Sequence, residues 1–454
     1  MDIKKRLVFI YIVAFLSFAA FPQAALQEDI SKLKAKVDTL GKAIAKQDSC
    51  LREYSVRIAQ ENKKVVDHDT VIEEIKTRLH RQYGTPAIGD SGFVIGVGAT
   101  IVLQATNNPN AVSAGGKRVG DASFSTDLTF QKNISNLGSK AFLHCEAGAG
   151  KGLDEDLQLF SYVNFDALGK QAVQIAEAWY EQTWISGKAV GTIGLMDPTA
   201  YFDGNNAAND ETVQFLSQIF VVNPTIEYPS VVPGGYYAPG ILLKLAPYEW
   251  LEVLGGAFDV DQDWRHIGDN LFNIGQISIS ANILGFSGTY RLYGWNNQMP
   301  HTNWLDSAKT NESSYGLGFS FDQKIGENAT PFVRYGWRSA GDYDPQAVQA
   351  GLYSTYIGQS WSIGVQFEGK LWRRENDAAG LAFGQMLPSA DYKTSNPELH
   401  ASVESHVEAY WRIQVFENMS ISPDIQYIIN PFGKDAEFNE KNIPVLGVRS
   451  QVDF

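Results

Sequence analysis

Residues 403–415 read VESHVEAYWRIQV. At a period of two, Val403, Val407, Ala409, Trp411, Ile413 and Val415 fall on one face. Glu404, His406, Glu408, Tyr410, Arg412 and Gln414 fall on the other. Side chains of an extended strand alternate between its faces, so this is a strand with one apolar and one strongly ionic side. A soluble sandwich buries its apolar face against a second sheet and seldom carries so many charges opposite it. Both faces are satisfied if the apolar side meets lipid and the charged side meets enclosed water.

The same alternation recurs on both sides of that stretch. In FVIGVGATIVLQ (93–104), Phe93, Ile95, Val97, Ala99, Ile101 and Leu103 share a face. In ASFSTDLTFQ (122–131), Phe124, Leu128 and Phe130 oppose Ser123, Ser125, Asp127 and Gln131. The chain closes on IPVLGVRSQVDF (443–454), where Leu446, Val448, Val452 and Phe454 oppose Arg449, Gln451 and Asp453. From Phe93 onward roughly sixteen such runs occur, about ten residues each, the length of a transmembrane barrel strand. The chain's 10 Trp, 20 Tyr, 25 Phe and 41 Gly suit many strands. A half-apolar strand at the end of a chain leaves an open edge unless it finds a partner. Pairing the last strand with the first, near Phe93, removes both edges. The expected fold is therefore an all-β transmembrane barrel of about 16 antiparallel strands over 93–454.

The other end is built differently. Lys4, Lys5 and Arg6 precede the apolar run Leu7 to Phe21 and then PQAALQ, a secretory signal peptide over 1–25. Its 15 apolar positions fall short of the roughly 20 that span a bilayer as a helix. Cleavage is expected near Ala25, and other Ala-containing sites between 19 and 25 also fit. Over 26–82 the apolar steps alternate four and three. Ile30, Val37, Ile44, Leu51, Ile58, Val65, Ile72 and Leu79 occupy the a sites of a heptad repeat. Gln47, Tyr54, Glu61 and His68 make the middle d sites polar. A period of 3.5 held this long predicts an N-terminal α-helical coiled coil of about 80 Å, and with it a homo-oligomer. YGTPAIGDSG (83–92) breaks the helix with Gly and Pro before the period changes to two.

Composition narrows the partners. The net charge is −14, and losing Asp2, Lys4, Lys5 and Arg6 with the leader makes it more negative, a poor match to nucleic-acid phosphates. Two cysteines, Cys50 and Cys145, are too few for a disulfide scaffold. Cys50 adjoins an a site, where an interchain disulfide is conceivable in an oxidising compartment. GAGKG (148–152) has no Ser or Thr after Lys151 and reads as an extracellular loop rather than a phosphate loop. His400 and His406, placed on one strand, would lie about 20 Å apart, too far to share a metal ion. The sequence has no G-x-S-x-G elbow and no H-E-x-x-H, and an enzyme is not expected.

One long stretch, 194–235, does not alternate, and long loops in compact proteins are usually functional. It contains FDGNNAAND (202–210) and QFLSQIFVVNPTI (214–226). With SPDIQYIINP and VLGVRSQVDF from 422–454, these pieces resemble the carbohydrate-selective porins of the OprB type. In that family too the chain ends on a tyrosine-rich strand, a PD.Q turn and a final G.R…F. The likeness extends in layout over 90–454 and implies a 16-stranded barrel through which sugars diffuse across the outer membrane. The coiled coil lies outside the family's minimal unit.

Selective passage of a sugar needs ionic or amide groups for its hydroxyls and aromatic faces for its ring. The alternation places Glu177, Trp179, Glu181, Arg291, Trp295 and Arg334 inward, with Glu404, Glu408, Tyr410 and Arg412. Lys244 and Gln426 face the same way. Each alone is a solvated wall residue paired across strands; together they are the candidate pore lining. A single bulge would flip a strand's set. The 194–235 stretch is the candidate constriction, with Asp203, Asn209 and Asp210 bonding the wall or capping a short helix. These oxygens lack the EF-hand spacing, and no metal or cofactor is expected.

The function expected is passive, carbohydrate-preferring diffusion of small polar solutes through the bacterial outer membrane, with the coiled coil in the periplasm. The alternative is a structural outer-membrane barrel tethered by that coil to peptidoglycan or another partner.

Overall fold

The computed structural model describes residues 87–88 and 93–454, apart from 116, 135–137, 168–171, 231–235, 262–263 and 350. The leader, the heptad repeat and most of the 83–92 linker lie outside the described residues.

Sixteen strands of 8 to 18 residues follow one another. The first four are β1 Phe93–Thr106, β2 Val119–Ile134, β3 Ser139–Ala149 and β4 Ala172–Trp184. Next come β5 Ala189–Met196, β6 Ala238–Tyr248, β7 Leu251–Asp259 and β8 Leu271–Ile283. β9 Phe286–Asn303, β10 Glu312–Gln323, β11 Ala329–Arg338 and β12 Ile357–Glu368 continue the series. The last four are β13 Ala378–Pro388, β14 Glu404–Phe416, β15 Met419–Ile429 and β16 Ile443–Asp453. Two-residue strands, Ala87–Ile88 and Asp342–Tyr343, extend the sheet at β1 and β9.

Each strand pairs antiparallel with the next, and β16 pairs with β1 from Val445↔Thr106 to Asp453↔Gly98. The Val97 and Phe454 amides exchange bonds of 3.0 and 2.8 Å at the end of that seam. The sheet is therefore closed, and closure leaves no unpaired edge. Connections alternate between short turns, such as Leu284–Gly285 between β8 and β9, and long loops, such as 389–403 between β13 and β14. All long loops gather at one end, the arrangement of outer-membrane barrels whose short turns face the periplasm.

Parity along β1 places Thr100 and Gln104 inward at 0 and 4% exposure, and Ile101 and Leu103 outward at 50 and 54%. An outward apolar belt runs round the wall through residues such as Ile241, Leu292, Ile363 and Ile425. Exposed aromatics flank it. Tyr248 and Trp250 stack at 5.5 Å near the short turns, and Tyr315 meets Trp337 at 6.0 Å near the long loops. Such belts and girdles match a lipid bilayer.

Register shifts occur toward the ends of β6, β9, β12 and β14, and one bulge lies within the span of a strand. On β4 an extra residue between Ile175 and Glu177 breaks the register with β3, between His144 and Cys145. Val173 and Ile175 point out, Ala176 is fully buried, and Glu177 and Trp179 point in although all four odd positions share one parity.

Buried apolar side chains lie inside the cylinder, between its wall and the loops folded into it. One cluster joins Phe202 of the 197–237 loop to Phe258, Phe272 and Trp295. A second joins Phe215 and Phe220 of that loop to Phe332 and Tyr410.

Candidate functional site in the barrel lumen

The segment without periodicity enters the lumen and is bonded to the wall along its length. Gly194–Met196 still belong to β5, and the loop proper runs from Asp197. The Asp197 carboxylate accepts Thr199 N–H at 2.8 Å and opens a 3-10 turn, Pro198–Ala200. Asp210 caps the next turn by accepting Thr212 N–H at 3.0 Å. No helix follows Asp210 directly; the short helix stands further on, at Gln218–Val221, with Ser217 at its N-cap. Asn209 instead accepts Asn205 N–H at 3.0 Å.

The anchors come from β8 to β16. Gln276 accepts Asp203 N–H at 2.9 Å, and Arg291 pairs with Asp322 at 2.6 Å. Asp322 also accepts Asn206 Nδ2 at 2.7 Å. Arg334 donates to the Asp203 carbonyl and to Asn209 Oδ1, both at 2.9 Å, and to the Phe220 carbonyl. Its Nε lies 3.3 Å from the Asp203 carboxylate, which accepts Asn223 N–H at 2.7 Å. Arg449 donates to the carbonyls of Glu211 and Gln214 at 2.5 and 2.7 Å. Glu408 accepts Leu216 and Ser217 N–H at 2.6 and 2.9 Å. Backbone groups carried into a closed barrel away from water need such partners.

The loop also needs room. A Cβ on Gly336 would sit 2.1 Å from Thr225 Oγ1, and one on Gly384 2.7 Å from Ile219 Cδ1. A side chain at either place would force these loop side chains to shift.

A clasp holds the loop's far end. Glu227 lies 2.8 Å from Arg338 and 3.1 Å from His301. Burial opposes its ionisation, but the guanidinium and the imidazole outweigh burial and hold the carboxyl down at about 2.

The loop between β3 and β4 also turns inward. Gln104 and Gln426 both donate to the Val163 carbonyl, at 3.1 and 2.9 Å. Asp154 accepts Val163 and Asn164 N–H at 2.9 and 3.1 Å, yet burial dominates and pushes its carboxyl up to about 7.

On the opposite wall, β2 to β7, Phe142, Glu177, Trp179, Leu242, Leu254 and Phe258 are covered as well, and a few charged side chains toward the short turns remain partly exposed. In a closed sheet that exposure is to the lumen. Lys140 pairs with Glu181 at 2.8 Å, their side chains 45 and 16% exposed. Lys244 lies 3.8 Å from Glu252. His144 stands 2.8 Å from Asp127 and 3.6 Å from Glu177. Glu146 accepts from Gln174 and from the Tyr237 hydroxyl at 3.0 and 2.9 Å. The lumen thus has a side filled by loops and a side where the Lys140–Glu181 and Lys244–Glu252 pairs, toward the short turns, stay open to water.

The sequence-derived set divides between these halves. Glu181 is water-facing, and Glu177 touches His144 beside it. Trp179 points inward but is buried, with Nε1 donating to Glu177 at 3.2 Å. Arg291, Trp295, Arg334, Glu404, Glu408 and Tyr410 all point inward and are covered. Arg412 lies beside the short turns and donates to the Asn376 carbonyl at 3.3 Å. His400 is not on the strand with His406. It precedes β14 and meets Asp435 at 3.1 Å, because the chain is still in a loop there. Sequence reasoning passed over Asp322 and Arg338 as wall anchors, although strand parity carries both. It also missed Glu227, which sits in a loop with no parity to read.

A family model described as carbohydrate-selective porin, OprB family, matches residues 96–454. An uncharacterized protein of Aquifex aeolicus (strain VF5) is 31% identical over 151 residues, spanning 33% of this chain and 40% of that protein. The high-pH structure of Pseudomonas putida OprB superposes with a TM-score of 0.68 at 15% identity, covering 80% of this chain and 95% of that one. The low-pH structure of the same protein gives 0.50 at 12%, covering 80 and 93%.

Proposed function

The chain belongs to the OprB family of carbohydrate-selective porins, and on that footing we propose that it is a passive diffusion channel of the bacterial outer membrane. Its solutes are carbohydrates and similar small polar molecules. The observation that carries this reading is the partly filled lumen: a loop bonded to β8–β16 narrows the barrel but leaves the Lys140–Glu181 and Lys244–Glu252 pairs on the other side open to water. A sugar crossing that wall exchanges water for the carboxylates and ammonium groups of the Lys140–Glu181 and Lys244–Glu252 pairs. Each such contact replaces a hydrogen bond to water, so binding is weak and release is fast. No energy source is needed; the gradient drives flow. Glu181 and Arg412 contact solute in this reading, while buried Glu177 holds His144 and Trp179 in the wall. Trp179, Arg291, Trp295, Arg334, Glu404, Glu408 and Tyr410, with Asp203, Asn209 and Asp210 of the loop, shape the passage from behind.

The test is conductance in planar bilayers. Stable steps reduced by added sugar are expected, with a weaker reduction when Lys140 and Glu181 are both made Ala. Silence of the wild-type protein would leave the tethering alternative, supported by the heptads from Leu26 to Leu79, in which the coil joins the barrel to peptidoglycan or another partner.

A further inference from the structure

Three inward positions of β14 carry Glu404, His406 and Glu408, all at most 1% exposed. None of them meets water, and each is spent on a loop. The Glu404 carboxylate accepts Phe160 N–H at 3.1 and 3.2 Å to its two oxygens and Phe432 N–H at 2.6 Å. His406 stands 2.9 Å from Glu404 through Nε2 and 3.0 Å from Ser217 Oγ through Nδ1. Glu408 holds the adjacent amides of Leu216 and Ser217. One strand thereby grips three connections: the β3–β4 loop, the β5–β6 loop and the β15–β16 loop.

The first two of these also hold each other. Phe165 N–H donates to the Leu216 carbonyl, and Gln218 N–H to the Tyr162 carbonyl, both at 3.0 Å. The rungs are followed by Tyr410, whose ring meets Phe215 edge-on at 4.9 Å. Around them Phe160, Phe215 and Phe432 form an apolar layer. Amides brought into such a layer are costly unless an acceptor waits for them, and a carboxylate is the strongest acceptor available.

We propose that Glu404, His406 and Glu408 are positioning residues that set the aperture of the channel by locking three loops against one side of the lumen. The proposal rests on the porin reading for its consequence, the width available to solute, but not for the lock itself. It also separates two roles among inward charges. The β2–β7 wall meets the solute, and the β14 ladder fixes how much room the solute has.

The test uses the full-length protein in detergent and in bilayers, with Glu404→Ala, His406→Ala, Glu408→Ala and the isosteric Glu408→Gln. Hydrogen exchange is read first. Glu408→Ala should speed exchange of the 210–221 amides about tenfold or more, since a hydrogen bond is lost at each of two amides. It should also loosen 157–167, which Glu408 does not touch. In bilayers the same variant should show a larger, noisier unit conductance and admit larger oligosaccharides. Glu408→Gln, which keeps one acceptor, should fall between Ala and wild type on every readout. Should Glu408→Ala not assemble, Glu408→Gln carries the comparison, because it keeps the volume of the side chain and removes only acceptor strength. Unchanged exchange in both loops in variants that still fold would overturn the lock. Faster exchange with an unchanged conductance and size limit would overturn its control of the aperture. A silent wild type with the exchange result intact would count against the porin reading alone.

Discussion

Glu227 shows how a single carboxyl ties a loop to its wall, and how that tie depends on pH. Its unshifted value is 4.5; in the folded protein Arg338 and His301 overcome the effect of burial and bring it to about 2. The folded state therefore releases the proton more readily than the unfolded chain. Its stabilisation is complete above about pH 4.5 and is lost as pH falls through about 2. At neutral pH it amounts to something on the order of 3 kcal/mol. Glu227→Gln should lower the thermal midpoint of the detergent-solubilised barrel at pH 7, and the gap to wild type should narrow steadily below pH 4.5. A gap of constant size would mean that the clasp works by shape and not by charge. The same residue marks the limit of reading from sequence at this scale. Parity alone says that Arg334 and Glu408 point inward, and they do. An inward charge reads alike whether it meets water or a backbone amide, so the covering of Arg334 by Asp203 and Phe220 was not legible.

At the scale of elements, alternation survives everywhere except where an extra residue enters. Apolar and charged runs identified the strands because each strand separates two solvents, lipid and lumen water, and has no other way to satisfy both. The β4 strand is the exception that tests this. Val173, Ile175, Glu177 and Trp179 share a parity, and only the bulge at Ala176 sends the first two outward and the others in. Deleting Ala176 would restore a regular ladder at the cost of one set. Either Glu177 and Glu181 turn toward lipid or Val173 and Ile175 turn toward the lumen. A charge facing the hydrocarbon costs roughly 2–4 kcal/mol for a basic residue at the midplane and less for an acidic one. The deletion should therefore lower the yield of barrel that migrates as a folded, heat-modifiable band in gels, while replacement by Gly, which keeps the count, should not. The long loops follow other rules. The 197–237 loop takes its shape from partners more than a hundred positions away, Asn205 on Ser320 among them. No local pattern encodes such contacts, so its length was visible and its path was not.

At the scale of the whole molecule, the strands from Phe93 to Asp453 complete their own hydrogen bonding. The seam from Val445↔Thr106 to Asp453↔Gly98 closes the cylinder, and the short Ala87–Ile88 strand adds to it on Ile95 and Val94. Among the described residues, the buried clusters draw on Val119 and later positions. Closure is thus complete within the described strands, whereas heptads as expected from the sequence, with polar Gln47, Tyr54, Glu61 and His68 at d, would need other helices in order to bury their a positions. Removing Gln27 to Arg81 should therefore separate the two tasks. The truncated protein is expected to give the same heat-modifiable barrel and the same unit conductance, with a smaller oligomer in native mass measurements or a weaker hold on the cell envelope. The opposite result has a clear meaning: an unfolded product would make the coil a requirement of barrel assembly, and an unchanged oligomer with unchanged envelope attachment would remove the tethering role proposed for it.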